Sequence, residues 1–485
     1  MISALAVLAV LAVAGLQQSL PTDYRIRIPA DLQYAEVSAT LPPGTTRLFM
    51  DSVQAEHLPE GWATFVRDLS ARIDGRPAAL TPLHGAAWAV SGGTEVTLTY
   101  RIDLGFTRTP WPAGNEQAGA AFGNALYVIG RPLFIVGNVT TVSRVEFVLP
   151  AEWQVSTPWG STGSSGRAFD VPSVTELTRN ALVVGAYPSV RLGSGAFDLE
   201  LALPGQSRTV ASLVEPVLQR VLLTYLDLFP DTPRTKYLMS FFRAAADDGE
   251  AFSSSASFTT TDSVTASNAI IWGNFLAHEL MHFWNGQRIR GASPRASWRW
   301  LAEGFTEYYA NVTLARAGVI AQDLFLKKAE RHIGNYLYFA TAPALPRMSL
   351  VEAGANTSLH RFGVYDGGWT AALCLDGLIR EASGDRRSLD DFMRELWRQF
   401  GAAGRGYTLS GLDSLANDVA GSNLGSIVRA YAETREALPV AECLSRIGLM
   451  AATKGYAAEA FLFHAPNAAP AAAARGRAMY GSVRR

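Results

Sequence analysis

From Asp23 to Leu203 apolar and polar residues alternate at period two in short runs, the mark of half-buried strands. Tyr24-Arg25-Ile26-Arg27-Ile28, Glu95 to Ile102 and Arg144 to Leu149 are the clearest runs. Pro42-Pro43-Gly44, Asp74-Gly75 and Gly92-Gly93 punctuate them. Alternate side chains in such runs reach one face of a sheet, so the pattern predicts a β-sandwich-like domain over 20–205. Pro204-Gly205 marks a change of texture, and Val210 to Leu228 then carries helical periodicity. A strand at Lys236 to Phe242 follows. The Ser/Thr-rich stretch Ser253 to Ser267 reads either as a strand edge or as a loop. Helical spacing dominates from Asn268 to about Ala451, so the expected class is α+β. Behind the β domain come a mixed domain over 206–325 and a helical domain over 326–455. The Ala/Pro-rich stretch 456–485 is expected to be disordered.

Composition narrows the function. The 485 residues, 48% hydrophobic and 18% charged, exclude a mainly disordered chain. Lys+Arg number 42 against Asp+Glu 43, so the basic surplus that nucleic-acid binding needs is missing. Two cysteines, Cys374 and Cys443, exclude a thiolate metal cluster, and any metal site must rest on His, Asp and Glu. Both lie among apolar neighbours; a pair between them is compatible with an oxidising compartment but is not demanded. The apolar run Ile2 to Leu16, ending in Ala12-Val13-Ala14-Gly15, is too short to span a bilayer and predicts a signal peptide over 1–16. The protein is then exported, periplasmic or extracellular. Membrane contact would arise only through an uncleaved N-terminal segment, an alternative left open because no Lys or Arg precedes the run.

The sharpest local feature is His278-Glu279-Leu280-Met281-His282. Asn268 can cap a helix through it and Asn285-Gly286 can end it. Histidines four apart project from one helix face and can share a metal ion, with Glu279 beside them and free to reach a water. The competing reading is two helix histidines with solvent or core partners. Glu303 lies twenty-one positions after His282, on a second helix expected from a Ser297 cap over Trp298 to Ala317. His278, His282 and Glu303 would complete a two-His-one-Glu zinc set. Gly304 is tolerable inside that helix if it lets the two helices approach closely. Glu307, one turn on, either accepts the second ring N–H of a ligand histidine or is a solvated carboxylate. Trp298 and Trp300 read as packing anchors. Arg288 and Arg290 could meet a substrate carboxylate or an acidic partner such as Asp376.

The stretch His278 to Arg290, followed by Trp300-Leu-Ala-Glu303-Gly-Phe-Thr-Glu-Tyr-Tyr309, resembles the glycyl aminopeptidase family of zinc metallopeptidases. That family is related to thermolysin and to the clan that includes leukotriene hydrolase. Leu41 to Gly44, Asp74 to Pro77 and Val96 to Ile102 resemble its N-terminal β domain; Tyr365 to Asp376 and Gly384 to Asp391 resemble its helical domain. The resemblance implies a thermolysin-like catalytic domain over 206–325. It makes His278, His282 and Glu303 zinc ligands, Glu279 the general base, and Tyr365 a donor to the oxyanion, with His360 a weaker candidate for that task. It implies a peptide or protein substrate and hydrolysis of peptide bonds.

Two departures qualify this. The family's Gly-Gly-Leu-Glu-His-like strand, whose Glu suits a free amino terminus, corresponds here to Gly249 to Ser257. Phe252 or Ser253 falls where that Glu would be, and Glu250 is two positions off. The PDZ domain typical of the family also finds no room after Gly455. The expected activity is an aminopeptidase; the alternatives are an endopeptidase of altered specificity and a catalytically silent zinc-bearing peptide-binding protein.

Overall fold

The computed structural model describes residues 21–139, 142–195, 197–454 and 459–480, so the expected signal peptide lies outside the described residues. The period-two runs form an N-terminal β-rich region. Its largest sheet has eight strands, with Thr22–Arg27, Tyr34–Leu41, Val96–Asp103 and Val66–Ile73 consecutive at its centre. Alternation along Thr22–Arg27 and Val96–Asp103 buries Tyr24, Ile26, Leu98, Tyr100 and Ile102 and leaves their sequence neighbours to solvent. Two four-stranded sheets close the other side, and a core containing Trp62, Leu126, Phe134 and Leu182 fills the space between. The architecture is α+β, with this β region leading into a mixed and then a helical region.

The next sheet has five strands in the order Ser189–Ser194, Phe197–Ala202, Thr235–Arg243, Ser255–Thr260, Asp248–Ala251. Its first two strands were assigned to the β domain by the expected boundary at 205, but Phe197–Ala202 pairs in parallel with Thr235–Arg243. Period-two alternation announces a strand without saying which sheet it joins. The helix Arg208–Leu228 lies between them in sequence. Ser207 Oγ caps it by accepting from Val210 N–H, and its buried Val214, Leu218, Val221 and Leu222 join the sheet's apolar side chains in one core.

The Ser/Thr-rich stretch divides: its first half is an interior strand, not a sheet edge, and Thr261 to Ser267 is the loop that leads to the next helix. Ser255–Thr260 is an interior strand, all six residues buried. Its hydroxyls are matched: Ser255 Oγ donates to Asn180 Oδ1 (2.9 Å), and Tyr127 donates to Ser257 Oγ (2.7 Å). Both partners come from the N-terminal β region, so hydrogen-bonded side chains join the two regions beside an apolar cluster that includes Ile129, Val183, Leu238 and Phe242. The outer strand, Asp248–Ala251, keeps one edge unpaired within the sheet.

One continuous core runs from Val190 through the helices to Tyr480. The helix Gln322–Thr341 crosses the expected 325/326 boundary, so no break separates a mixed from a helical domain there. Within the expected disordered stretch 456–485, the described residues 459–480 are ordered, and the rest lie outside the described residues. Glu459–His464 pairs with Leu449–Lys454, and Pro470–Tyr480 is a helix. Alanine-rich sequence reads as low complexity, yet alanine is the best helix former, and the segment has anchors. Arg475 binds Asp385 (2.7 Å), and the Tyr480 ring stacks on Phe325. Among the described residues no helix is long and apolar enough to cross a membrane.

Cys374 and Cys443 form a disulfide between Gly368–Ala382 and Val440–Arg446, sixty-nine positions apart in sequence. Closing a loop of that size restricts the unfolded chain. Replacing both cysteines by serine is expected to lower the unfolding free energy by about 2–4 kcal/mol, read as a lower urea midpoint. A wild-type midpoint would contradict the bridge.

Candidate metal centre

The first site helix, Ala269–Met281, is buried through Trp272, Leu276, Ala277 and Leu280. The Tyr225 hydroxyl, reaching from Arg208–Leu228, donates to the Ala277 carbonyl (2.9 Å). Asn268 precedes the helix but makes no side-chain cap; its Oδ1 accepts from Thr265 instead. His282 stands at the C-terminal boundary, and Asn285-Gly286 turns the chain away with Gly286 at φ 99°. The second site helix is Arg299–Arg316, reached through a 3₁₀ turn at Arg295–Trp298. Ser297 is therefore inside that turn and not a cap; its Oγ donates to the Pro294 carbonyl. Trp298 and Trp300 are buried packing residues.

These two helices bring the three expected ligands together. The Nε2 atoms of His278 and His282 are 3.1 Å apart, and Glu303 Oε2 lies 3.6 Å and 3.3 Å from them. All three residues are at most 8% exposed. Each histidine has its other nitrogen engaged: His278 Nδ1 donates to Glu307 Oε2 (3.0 Å) and His282 Nδ1 to the Asn285 carbonyl (2.9 Å). With Nδ1 the donor, a neutral ring turns its Nε2 lone pair inward. Without a cation, the bonds to Glu303 and Glu307 outweigh burial and raise His278 to about 10, so a proton takes the place that a metal ion would fill. That donor set fits a divalent cation held by nitrogen and oxygen.

Asn285 binds the two helices into a unit. Its Nδ2 donates to the carbonyls of Leu301 (3.1 Å) and Ala302 (3.2 Å) and to Thr306 Oγ1 (3.0 Å). Gly304 has a different task from the one expected. A Cβ there would run into the Gly368 backbone, so its close approach is to the helix Gly368–Ala382 and not to the first site helix.

Glu279 is buried beside the ligands, and its Oε2 has no hydrogen-bond partner. Burial pushes its carboxyl up to about 7, against the pull of His278 and His282. The edge strand passes so close that a Cβ on Gly249 would collide with the Glu279 carboxylate. Tyr365 sits across the site, its ring roughly parallel to His278 with centroids 6.1 Å apart. Its hydroxyl is raised well above its ordinary value by burial and by the Glu303 carboxylate. Arg361 lies over the Tyr365 ring, 4.8 Å from its centroid. Glu307 is largely enclosed, its side chain 12% exposed, and accepts from His278 and from Asn274 Nδ2 (3.1 Å to each oxygen), so it is not a solvated carboxylate.

Other expectations fall elsewhere. His360 lines a separate apolar cavity with Tyr338, Pro346 and Phe362. Arg288 stacks on Phe283 and donates to its carbonyl (2.8 Å), and Asp376 is taken by Arg380 and Tyr308. Glu250 and Gln117 emerge as neighbours: Gln117 Nε2 donates to Glu250 Oε2 (2.6 Å) across the junction of the two regions. Burial raises the Glu250 carboxyl, opposed by Gln117, Arg295 and Arg131. No local signal in the sequence links residues 133 positions apart. Phe252 is buried in the apolar junction between the regions, packed near Arg131.

Residues 272–362 match the family described as M61 glycyl aminopeptidase, which bears out the resemblance carried by the His278–Tyr309 stretch. No curated protein matches the chain. Among solved structures, an aminopeptidase N family protein from Idiomarina loihiensis is 17% identical, covering 89% of this chain and 79% of its own, with a TM-score of 0.74. An M1 zinc metallopeptidase from Deinococcus radiodurans is 14% identical, covering 87% and 95%, at 0.52. The LTA4 hydrolase of yeast is 13% identical, covering 87% and 68%, at 0.54. These likenesses establish the shared fold.

Gly304→Ala tests the packing behind the centre. Because the added methyl meets backbone, the second site helix must shift; about 1–3 kcal/mol of stability should be lost, and metal binding should weaken with it. A variant with wild-type melting temperature and metal affinity would contradict the contact.

Proposed function

We propose that this chain is a zinc-dependent metallopeptidase, and that it removes residues from the free amino terminus of peptides. One observation carries the reading: three inward-facing acceptors on His278, His282 and Glu303 converge beside Glu279, whose buried Oε2 has no partner. Zinc held by those residues would supply Lewis acidity toward a peptide carbonyl and a water. Glu279 takes the proton of the attacking water and delivers it to the departing amine, the work of a general base turned general acid. The Tyr365 hydroxyl donates to the oxygen that becomes negative as the carbonyl carbon turns tetrahedral. The unpaired edge of Asp248–Ala251 offers backbone N–H and C=O groups to an extended peptide.

The amino-terminal preference rests on Glu250. Its side chain reaches the N-terminal β region, where Gln117 Nε2 donates to its Oε2 (2.6 Å). A carboxylate braced by Gln117 is suited to an ammonium group, and it lies close enough to the general base for its charge to raise the Glu279 carboxyl. The observation favouring an endopeptidase is the burial of Phe252, which removes the position where the resembling family carries its glutamate. Export to an oxidising compartment is part of the same reading, supported by the Cys374–Cys443 disulfide.

The test compares zinc-loaded wild type with Glu279→Gln on peptides in free and N-acetylated forms, with products read by mass spectrometry. Glu279→Gln should keep its zinc and lose roughly 10²–10⁴-fold in kcat; retained turnover would remove Glu279 from the mechanism. Wild type should trim free peptides only, and internal cutting of acetylated peptides would establish the endopeptidase. Glu250→Ala should reduce kcat/KM on free peptides by roughly 10–100-fold, the worth of a charge-assisted hydrogen bond. An unchanged value would release Glu250 from amine recognition.

A further inference from the structure

Glu307 reaches in two directions. Its Oε2 accepts from His278, while its Oε1 lies 3.3 Å from Nε2 of His332, on the helix Gln322–Thr341. The other ring nitrogen of His332, Nδ1, lies 2.7 Å from Oδ1 of Asp366. Asp366 directly follows Tyr365 within the π-helical turn Phe362–Gly367. A single row of buried side chains therefore runs from His278 through Glu307 and His332 to the turn that carries Tyr365. His332 and Asp366 are 8% and 5% exposed, so water does not interrupt the row from outside.

The neighbours of His332 fix its proton count. Nδ1 faces a carboxylate, which only accepts. Nε2 faces Glu307 Oε1 and, at 3.1 Å, Asn311 Oδ1. That atom is an acceptor, because Trp369 Nε1 donates to it (3.2 Å) while Asn311 Nδ2 donates to Asn274 Oδ1 (2.6 Å). Both ring nitrogens are therefore donors, and His332 is an imidazolium. Its ring stacks on Trp369 with centroids 4.9 Å apart, which favours a cation. Burial opposes the charge, but the bonds to Asp366 and Glu307 outweigh it and raise the group above its ordinary value.

Removing the cation between these two enclosed carboxylates takes away their shared ionic partner and leaves Glu307 to Lys328 and the amides of Asn274 and Asn311, and Asp366 to the amide of Asn335. We propose that His332 is a positioning residue of the metal centre: its cation clamps Glu307 on one side and Asp366 on the other, so that one buried ion triad sets both the orientation of His278 and the placement of Tyr365. The His278 half rests on donor geometry alone; the Tyr365 half rests on the peptidase reading.

The experiment measures Zn²⁺ affinity by competition with a chromophoric chelator for wild type, His332→Leu, Glu307→Gln and the double variant. Melting temperatures are recorded in parallel. His332→Leu should weaken Zn²⁺ binding about 10–100-fold, the usual cost of losing an outer partner of a ligand. In the Glu307→Gln background the same change should cost less than about twofold, because its path to the metal is already cut. Affinity within twofold of wild type, or the same loss in both backgrounds, would overturn the proposal. A merely structural histidine would lower the melting temperature without that dependence on Glu307. If His332→Leu does not fold, Asp366→Asn, which keeps the ring in place, is read by the same comparison. At saturating Zn²⁺, kcat on a free peptide should still fall at least tenfold in Asp366→Asn with KM little changed; wild-type kcat would overturn the Tyr365 half. A wild type that binds Zn²⁺ but cleaves nothing would sink the peptidase reading and leave the affinity comparison standing.

Discussion

Two imidazole lone pairs and a carboxylate oxygen, pressed within 3.1–3.6 Å of one another in a buried pocket, form the constraint on which the rest of this structure depends. In their metal-binding forms these three acceptors do not attract each other, so the scaffold must hold them together and a cation, either a proton on His278 or a metal ion, must relieve them. The imposition is visible residue by residue. Asn285 ties the turn after the first site helix to the carbonyls of the second, and Gly304 lets the second helix lie against Gly368. Tyr225 fixes the first helix from behind through the Ala277 carbonyl. The Nδ1 partners, Glu307 and the Asn285 carbonyl, fix the tautomers that turn both lone pairs inward.

The N-terminal β region takes part in the same arrangement. Its Tyr127 and Asn180 satisfy the hydroxyls of a buried polar strand, and that strand carries the edge strand that passes over Glu279. A hydrogen-bonded junction is more demanding of geometry than an apolar one, because each unsatisfied group would carry its own desolvation cost. Gln117 reaches Glu250 across this junction. The Glu250 side of the site is thus shared between two regions of the chain, and the His278, His282 and Glu303 side belongs to the helices.

What was legible in the sequence was local. The spacing of His278 and His282 on one helix and the placing of Glu303 and Glu307 a turn apart follow from helical geometry, and the structure brings these residues together. The β-rich start and helical end follow from periods of two and of three to four. What was illegible depended on partners distant in sequence. Ser255–Thr260 reads as a strand edge or a loop, not as an interior strand, because its hydroxyl partners lie some seventy or more positions upstream. Ser189–Ser194 and Phe197–Ala202 alternate like any strands, and only pairing with Thr235–Arg243 gives them their sheet. The caps expected from Asn268 and Ser297 failed because loop and 3₁₀ contacts claimed those side chains first. His332 gave no signal at all, being one histidine on an amphipathic helix.

The most direct measurement is diffraction from crystals of the zinc-loaded protein on both sides of the zinc absorption edge. The account requires one strong anomalous peak per chain, bounded by His278 Nε2, His282 Nε2 and Glu303 Oε2, and its loss in His282→Ala. A zinc-loaded crystal with no peak there, or with its zinc bound elsewhere on the chain, would contradict the reading of this pocket as a metal centre and the peptidase chemistry built on it.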